Sequence, residues 1–376
     1  MKNFLILTIF FISLFSLGAE DDAVNKMMAE KEKEKGAVFV GPDPAYLVMP
    51  RPLERTNVSR DLLTDEVKKM IQMSLSYLAD NQSPDGSWSD KQFPNNTGVS
   101  SLACLAFMAA GDRPRIGKYG KNLDKGIGFL LQSAKSGGLI AGAGSSKFSP
   151  IYEHLYASMA LIYAYGEAPW YPHLRKVISK ALQVIFQSQR RDGGWRYLAS
   201  KEGRSDVSVT TTAIWVLRSA KKCGFHVPKK AIASATKLID QCAKPDGKFH
   251  YRMGGRLISP ALAGKCIVSL MSSGRLDHPL IAITRDEIAF DFKRYSVKDL
   301  GARRYAVHNI FSASVGMYPC GDEYWVPWFK KSTAVLKSLQ RKNGEFFDDF
   351  QNTIYPTAFA VITLQAPLGY LPIYER

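Results

Sequence analysis

Cysteine and histidine, the residues that most often hold transition metals or staple small exported folds, are scarce and scattered in this chain. It contains 5 cysteines, which lie far apart and mostly within apolar stretches, and 6 histidines. No Cys-x-x-Cys or His-x-x-x-His pair occurs. These spacings exclude the common zinc motifs, and the odd number of cysteines favours buried thiols with one or two disulfides at most. We expect no metal and no cofactor.

Long hydrophobic runs are missing after the N-terminus. The first residues are Met1-Lys2-Asn3, followed by an apolar run from Phe4 to Leu17, small residues and then acidic ones. This pattern is typical of a secretory signal peptide, with an uncleaved membrane anchor as the alternative. We expect residues 1–19 to be the signal peptide, residues 20–60 a polar tether, and residues 61–376 one folded domain. The protein is then secreted, or held in the periplasm or cell envelope.

Nucleic-acid recognition motifs are also missing, although the formal net charge is +16. The basic residues are scattered along the chain, and charge alone gives only weak, salt-sensitive association with nucleic acid. We therefore expect no nucleic-acid partner. The charge favours peripheral association with the envelope or with another anionic surface. The sequence leaves the oligomeric state open.

The sequence also lacks the sustained alternation of apolar and polar residues that marks β-strands. In its place, one motif recurs after successive runs with helical spacing. Each copy ends an apolar run at a glutamine, turns at a glycine and places a large apolar residue beyond. The copies begin at Gln82, Gln132, Gln189, Gln241 and Gln340. The glutamines lie 50, 57, 52 and 99 residues apart, so the last gap has room for one degraded copy. A period near 50 predicts a repeat architecture.

Two helices can be placed in each repeat. An amphipathic run, such as Val67 to Leu78 or Val177 to Phe186, precedes the glutamine, and a denser apolar run, such as Val99 to Ala110, follows it. A helix that is apolar on nearly all sides is buried on nearly all sides. Six such pairs predict six inner helices surrounded by six outer ones. The expected fold is an all-α (α/α)6 toroid that closes on itself.

The strongest copies, Gln82 to Trp88 and Gln189 to Trp195, resemble the QW motifs of the squalene-hopene and oxidosqualene cyclase superfamily. The resemblance extends over residues 60 to 376 and implies the α/α toroid that these cyclases share with prenyltransferase β-subunits. In that family the glutamine amide ties an outer helix to the next turn, and the aromatic ring packs against it. The motif is thus structural. Triterpene cyclases have two barrels, whereas this chain has one.

In such a toroid the starts of the inner helices line one mouth, where a ligand can bind. The polar and aromatic residues placed there are candidates for ligand contacts: Tyr152, Ser208, Tyr305, His308, Trp325, Asp349 and Tyr355. Asp206 and His154 are the candidates for catalysis. A lone histidine in an apolar helix is, however, usually a satisfied core residue.

The cyclase resemblance places the catalytic acid near Asp206. Those enzymes carry an Asp-x-Asp-Asp-Thr phrase whose middle aspartate protonates the substrate, and this chain has Asp206-Val207-Ser208-Val209-Thr210. A serine hydroxyl cannot replace a strong carboxylic acid. We therefore do not expect standard protonation-type cyclisation. Asp206 can be the N-cap of the helix that follows, a carboxylate at the mouth, or both.

Prenyltransferase β-subunits bind zinc through an Asp-x-Cys pair and a later histidine, which Asp240-Gln241-Cys242 and His308 imitate. Here the pair straddles the motif glutamine at the end of an outer helix, so we expect no zinc.

Two classes of function remain. One is a binding protein that holds a hydrophobic, isoprenoid-like or polymeric ligand at the mouth. The other is an enzyme, either a divergent terpene cyclase or prenyltransferase-like protein, or a glycan lyase or hydrolase on the same toroid.

Overall fold

The structure is a computed structural model that describes residues 61–142, 145, 149–258 and 260–372. The predicted signal peptide and tether lie outside these residues. Within them are thirteen α-helices, two short 3₁₀ turns and only isolated β-bridges. None of the helices in this described part has the length and apolar character needed to span a bilayer.

Six helices form an outer layer, and six others form an inner layer. The outer helices are α1 (Asp65–Asp80), α3 (Gly120–Gln132), α5 (Leu174–Ser188), α7 (Lys229–Cys242), α9 (Pro279–Arg294) and α12 (Asp322–Leu339). The inner helices are α2 (Thr97–Ala109), α4 (Pro150–Ala164), α6 (Val207–Lys222), α8 (Pro260–Ser272), α11 (Ala306–Met317) and α13 (Ile354–Leu364). A short helix, α10 (Val297–Gly301), connects α9 to α11.

The inner helices form a closed ring. Each packs against the next in chain order, and α13 packs back against α2. Every residue of α2 is buried, in keeping with its uniformly apolar or small side chains. The predicted all-α toroid of six helical pairs is confirmed.

The repeated glutamines tie consecutive outer helices together. Gln82 Nε2 donates to the carbonyls of Gly86 (3.0 Å) and Asn122 (2.9 Å), the latter in the first turn of α3. Gln189 Nε2 donates in the same way to Gly193 (2.7 Å) and to Ala231 (2.8 Å), in the first turn of α7. One amide thus bridges its own turn and the next outer helix, as the sequence predicts.

The tryptophans of these two copies donate hydrogen bonds to carbonyl groups at the end of the preceding outer helix. Trp88 Nε1 donates to the Leu78 carbonyl at 2.6 Å, and Trp195 Nε1 donates to the Ile185 carbonyl at 2.7 Å. These carbonyls lie in the last turn of α1 and α5, where no intrahelical N–H is left to pair with them. Both indole rings are fully buried.

The ring is joined where the end of the chain meets its beginning. Gln340 Nε2 donates to the Met70 carbonyl and to Ser74 Oγ of α1, both at 2.9 Å. The Asp90 carboxylate also accepts the backbone N–H groups of Thr353 (2.6 Å), Ile354 (2.7 Å) and Tyr355 (2.9 Å), and so caps α13 from the opposite end of the sequence. The closure is therefore made by named polar contacts as well as by packing.

The degraded repeat between α9 and α12 is fastened by a different residue. Lys331 of α12 donates its ammonium hydrogens to the carbonyls of Phe292 and Tyr295, at the end of α9. A cation there satisfies carbonyls at the negative end of the helix dipole. The lysine reaches back from the following helix, whereas the glutamines reach forward from the preceding one.

All five copies share a glycine that contacts the next outer helix. In each of them φ is positive, and a Cβ would lie 3.0 Å or less from that helix: Gly86, Gly138, Gly193, Gly247 and Gly344. Every one of these turns therefore needs glycine for its backbone angle and for the close approach.

We expect Gly193→Ala to be much more destabilising than Gly274→Ala. Both glycines have positive φ, at +94° and +81°, but a Cβ on Gly193 would lie 2.4 Å from the Ser234 carbonyl oxygen, whereas nothing lies within 4 Å of one on Gly274. Gly274→Ala should cost about 1–2 kcal/mol of unfolding free energy, and Gly193→Ala about 3 kcal/mol or more. Chemical denaturation measures both. Equal losses would show that close approach to α7 does not matter.

Candidate ligand cavity at the inner-helix mouth

A cavity of about 150 Å³ lies at the mouth where the inner helices begin. Residues from the first turns of α2, α4, α11 and α13 line it, together with Lys265 of α8 and loop residues. Its walls are mainly aromatic or aliphatic, and they include Phe93, Val99, Leu102, Tyr156, Phe350 and Phe359. The mouth predicted from the sequence is present, and it is a cavity rather than an open groove.

Aromatic rings fill the bore behind the cavity. The Phe359 ring stacks on Phe311 at 4.4 Å between centroids, and Phe311 meets Trp215 edge to face at 6.5 Å. Phe359 also contacts Tyr156 and Tyr355, at 6.4 and 5.9 Å. This aromatic plug, made of Phe359, Phe311 and Trp215, keeps the cavity at the mouth of the toroid.

Lys265 is the one charged residue of α8, and it is 2% exposed. The preceding Gly264 allows α8 to cross α11 closely, because a Cβ there would lie 2.2 Å from the Ser312 carbonyl oxygen. Nζ lies 5.5 Å from the centre of the Trp215 ring. Burial lowers the pKa of Lys265 to about 8. The lysine therefore brings a poorly solvated ammonium to a cavity whose walls are mainly aromatic or aliphatic.

Four of the predicted ligand residues converge on this cavity: Tyr152, Tyr305, His308 and Tyr355. Burial lowers the pKa of His308 well below its usual range, and the charge on Lys265 lowers it further, so the imidazole is neutral. The Tyr355 hydroxyl donates to Asp348, and burial raises its pKa. None of the four therefore carries a charge at neutral pH.

Ser208 and Asp349, two other predicted ligand residues, lie one contact behind the lining. Ser208 Oγ accepts a hydrogen bond from the Tyr152 hydroxyl at 2.6 Å. Asp349 accepts the backbone N–H of Tyr305 at 3.1 Å, where Tyr305 has a left-handed φ of 56°. Both residues hold a tyrosine of the cavity in place.

Asp206 is the N-cap of α6. It is fully buried and accepts the Ser208 backbone N–H at 2.9 Å, the Ser208 hydroxyl, and the Tyr197 hydroxyl at 3.0 Å. Burial raises its pKa, and the hydrogen bonds from Ser208 and Tyr197 act against that rise. The structure shows the helix cap, one of two predicted roles that can hold together, and Asp206 is not among the residues that line the cavity.

His154 and Trp325 lie away from the cavity. His154 is fully buried, with Nδ1 accepting the Ile140 N–H and Nε2 facing the Ala181 carbonyl, both at 3.0 Å. Burial lowers its pKa to about 4, so the ring is a neutral bridge between backbone groups. Trp325 is buried on the outer helix α12 and packs edge to face on Tyr318. Both are core residues in the structure.

A larger cavity, of about 290 Å³, lies in the wall of the ring between α8, α9 and α11. The charged groups at its rim pair with one another, Arg303 with Asp291 at 2.7 Å and Lys248 with Glu287 at 2.8 Å. It therefore offers a ligand no unpaired charge. The smaller mouth cavity has both the predicted residues and an unpaired cation.

Asp240 and Cys242, which resemble the zinc ligands of prenyltransferase β-subunits in sequence, have other surroundings in the structure. Asp240 pairs with Arg275 at 2.5 Å, and Cys242 is fully buried. The described residues contain no group of three or more His, Cys, Asp or Glu side chains arranged to hold a metal ion.

We expect Asp206→Asn to gain stability relative to the unsubstituted protein as pH rises. A folded-state pKa above 3.8 means that folding binds the proton more tightly, so stability is lost as pH rises through that pKa. Asparagine can still cap α6 and carries no such loss. Denaturation of both proteins between pH 4 and pH 8 measures the difference.

Asp299→Asn is the matched control for this experiment. Hydrogen bonds from the Ser296 side chain and backbone lower the pKa of Asp299, so its stabilising effect is lost as pH falls. That loss occurs below about pH 4, so between pH 4 and pH 8 this variant should differ from the unsubstituted protein by a nearly constant amount, whereas Asp206→Asn gains stability. The same trend in both variants would contradict the assignment of Asp206 as a buried carboxylate that ionises at a cost.

No protein-family model and no curated protein matches this sequence. Solved structures do. Type II terpene cyclase MstE from Scytonema, in complex with its product merosterolic acid A, has a TM-score of 0.58 at 12% identity, and the match covers 82% of this chain and 99% of that one. A possible GH105-family member from Salmonella enterica has a TM-score of 0.55 at 12% identity, covering 89% and 100%.

A novel α-amylase from Clostridium perfringens also matches, with a TM-score of 0.55 at 12% identity, covering 79% of this chain and 97% of that one. At this level of identity the likeness extends to the fold alone, because one toroid can support unrelated chemistries. The chain is thus an α/α toroid with the fold of the type II terpene cyclases.

Proposed function

We propose that the protein binds a small hydrophobic, isoprenoid-like molecule in the mouth cavity. The apolar lining of the cavity supports this proposal. Phe93, Val99, Leu102 and Phe359 face a space that the aromatic plug closes from behind. A cavity of this size can hold a group as large as a benzene ring, and the open side leaves room for a longer chain. MstE, which shares the fold, was solved with a geranylgeranyl substrate.

Two features argue against protonation-type cyclisation. Asp206, the counterpart of the first family aspartate, is used as a helix cap, and Ser208 occupies the proton donor's position. The buried side chains that line the cavity include Glu153 and Lys265, and the Lys265 ammonium would repel a carbocation intermediate. Binding without cyclisation fits both features.

Glycan hydrolysis has less support than ligand binding. Most glycoside hydrolases place two carboxylates on either side of the scissile bond. Among the residues that line the cavity, Glu153 is the one carboxylate, and its Oε2 accepts hydrogen bonds from Thr97 (3.0 Å) and Ser145 (2.5 Å). The likeness to the α-amylase and GH105 toroids supports this alternative through the fold alone.

The contacts that the repeated glutamines and tryptophans make, here called clasps, support a relation to a known enzyme superfamily. In two of them a glutamine amide (Gln82 or Gln189) binds the next outer helix and a tryptophan (Trp88 or Trp195) binds the preceding one, which supports a relation to the QW motifs of the squalene-hopene cyclase superfamily. We propose that the protein is a single-barrel relative of those enzymes in which the clasps have been kept and the acid has been lost.

Wild-type protein should bind geraniol and 1-octanol in calorimetric titrations, and maltohexaose should not bind. Val99→Phe, which adds a ring inside the cavity, should weaken alcohol binding by about tenfold or more, which corresponds to about 1.4 kcal/mol. Ile116→Phe is the control, since Ile116 is 51% exposed and outside the lining. Binding of maltohexaose alone would favour a polymeric ligand, and unchanged binding by Val99→Phe would remove the cavity as the site.

We also propose export and cleavage after residue 19, with the positive charge supporting association with an anionic surface. Expression of the full chain in a bacterial host should yield envelope or extracellular protein that begins at or near Glu20, as measured by N-terminal sequencing. Ile9→Arg interrupts the apolar run and should leave the full-length chain inside the cell. A chain that still begins at Met1 in the membrane fraction would instead indicate an anchor.

A further inference from the structure

We propose that Lys265 is an anion-binding subsite at the base of the mouth cavity, so that the ligand is an amphiphile with an apolar body and one carboxylate group. The inference rests on the proposed function, because it takes a hydrophobic ligand as given and adds the chemistry of its polar end. It assigns a role to a residue that the motifs did not point to.

The first observation is a buried charge without a partner. Lys265 is 2% exposed, lines the cavity, and makes no side-chain hydrogen bond or ion pair with the described part of the chain. Its close neighbour is the face of Trp215, at 5.5 Å from Nζ to the ring centre. An ammonium taken out of water is costly unless it is paired. A bound anion would supply the missing partner.

The second observation is that nearby carboxylates are held by other donors. Asp206 raises the pKa of Lys265 through its charge, yet its oxygens accept from Ser208 and Tyr197 and it forms no ion pair with the lysine. Glu153 Oε2 accepts hydrogen bonds from Thr97 and Ser145. The protein thus leaves the coordination of the ammonium to a molecule in the cavity.

The third observation concerns the orientation of the inner helices. The first turns of α2, α4, α11 and α13 line the mouth of the cavity. Lys265 lies five residues into α8, about 7.5 Å along the helix axis at 1.5 Å per residue. The carboxylate would therefore enter first, and the apolar chain would extend back past Tyr305 and Phe350 toward the opening.

The test compares acids and alcohols that share the same apolar body. Wild-type protein is titrated calorimetrically at neutral pH with geranic acid against geraniol, and with octanoic acid against 1-octanol. Each acid should bind about tenfold tighter than its alcohol, or more. In Lys265→Met this preference should disappear, because the acid weakens and the alcohol keeps its affinity. Lys121→Met, at an exposed lysine of α3, should behave as wild type.

The outcomes separate the two proposals. Equal binding of acid and alcohol by wild type, or an acid preference that survives Lys265→Met, overturns the anion subsite and leaves the hydrophobic cavity standing. Failure of wild type to bind any of the four molecules removes the proposed function as well. Should Lys265→Met fail to fold, Lys265→Gln keeps a polar side chain of similar length without the charge and carries the same comparison.

Discussion

The fold depends on how closely each turn of the chain approaches the next outer helix. At Gly193 the turn lies so near α7 that a methyl group would overlap the Ser234 carbonyl, and the Gln189 amide binds a carbonyl of that same helix. Each hydrogen bond adds only about 1 kcal/mol on balance. Its larger effect is on geometry, because repetition of one fixed approach turns a row of helical pairs into a ring. The Lys331 contact at the degraded repeat shows that the donor can change while the junction is kept.

Closure of the ring determines where chemistry can occur. Once α13 packs on α2, the first turns of α2, α4, α11 and α13 share a cavity at one mouth. Polar groups at the starts of inner helices are then used for capping, as with Asp206 on α6 and Asp90 on α13. A helix start therefore offers two competing uses for a carboxylate. In this chain both of these aspartates cap helices. The mouth is lined instead by tyrosines, one glutamate, a neutral histidine and a lysine.

The period of the motif was enough to predict the toroid, because glycine turns and amide clasps are local features that the sequence displays directly. Helix starts were enough to place Tyr152, Tyr305, His308 and Tyr355 at the mouth. His154 and Trp325 show the limit, because helical spacing does not tell which face of a helix points to the bore and which to the outer layer. Lys265 was missed since it lies in mid-helix, although a lone charge in the otherwise uncharged α8 was a signal that could have found it.

A buried lysine determines which charges the cavity can stabilise. A cyclase needs a proton donor above the substrate and aromatic rings that stabilise the carbocation formed. The Lys265 ammonium destabilises a carbocation in this cavity. The same ammonium attracts an anion more strongly than an exposed ammonium would, because Lys265 is 2% exposed. In the proposed function, Phe359 belongs to the apolar wall beside the bound carboxylate, and Lys265 selects the anion.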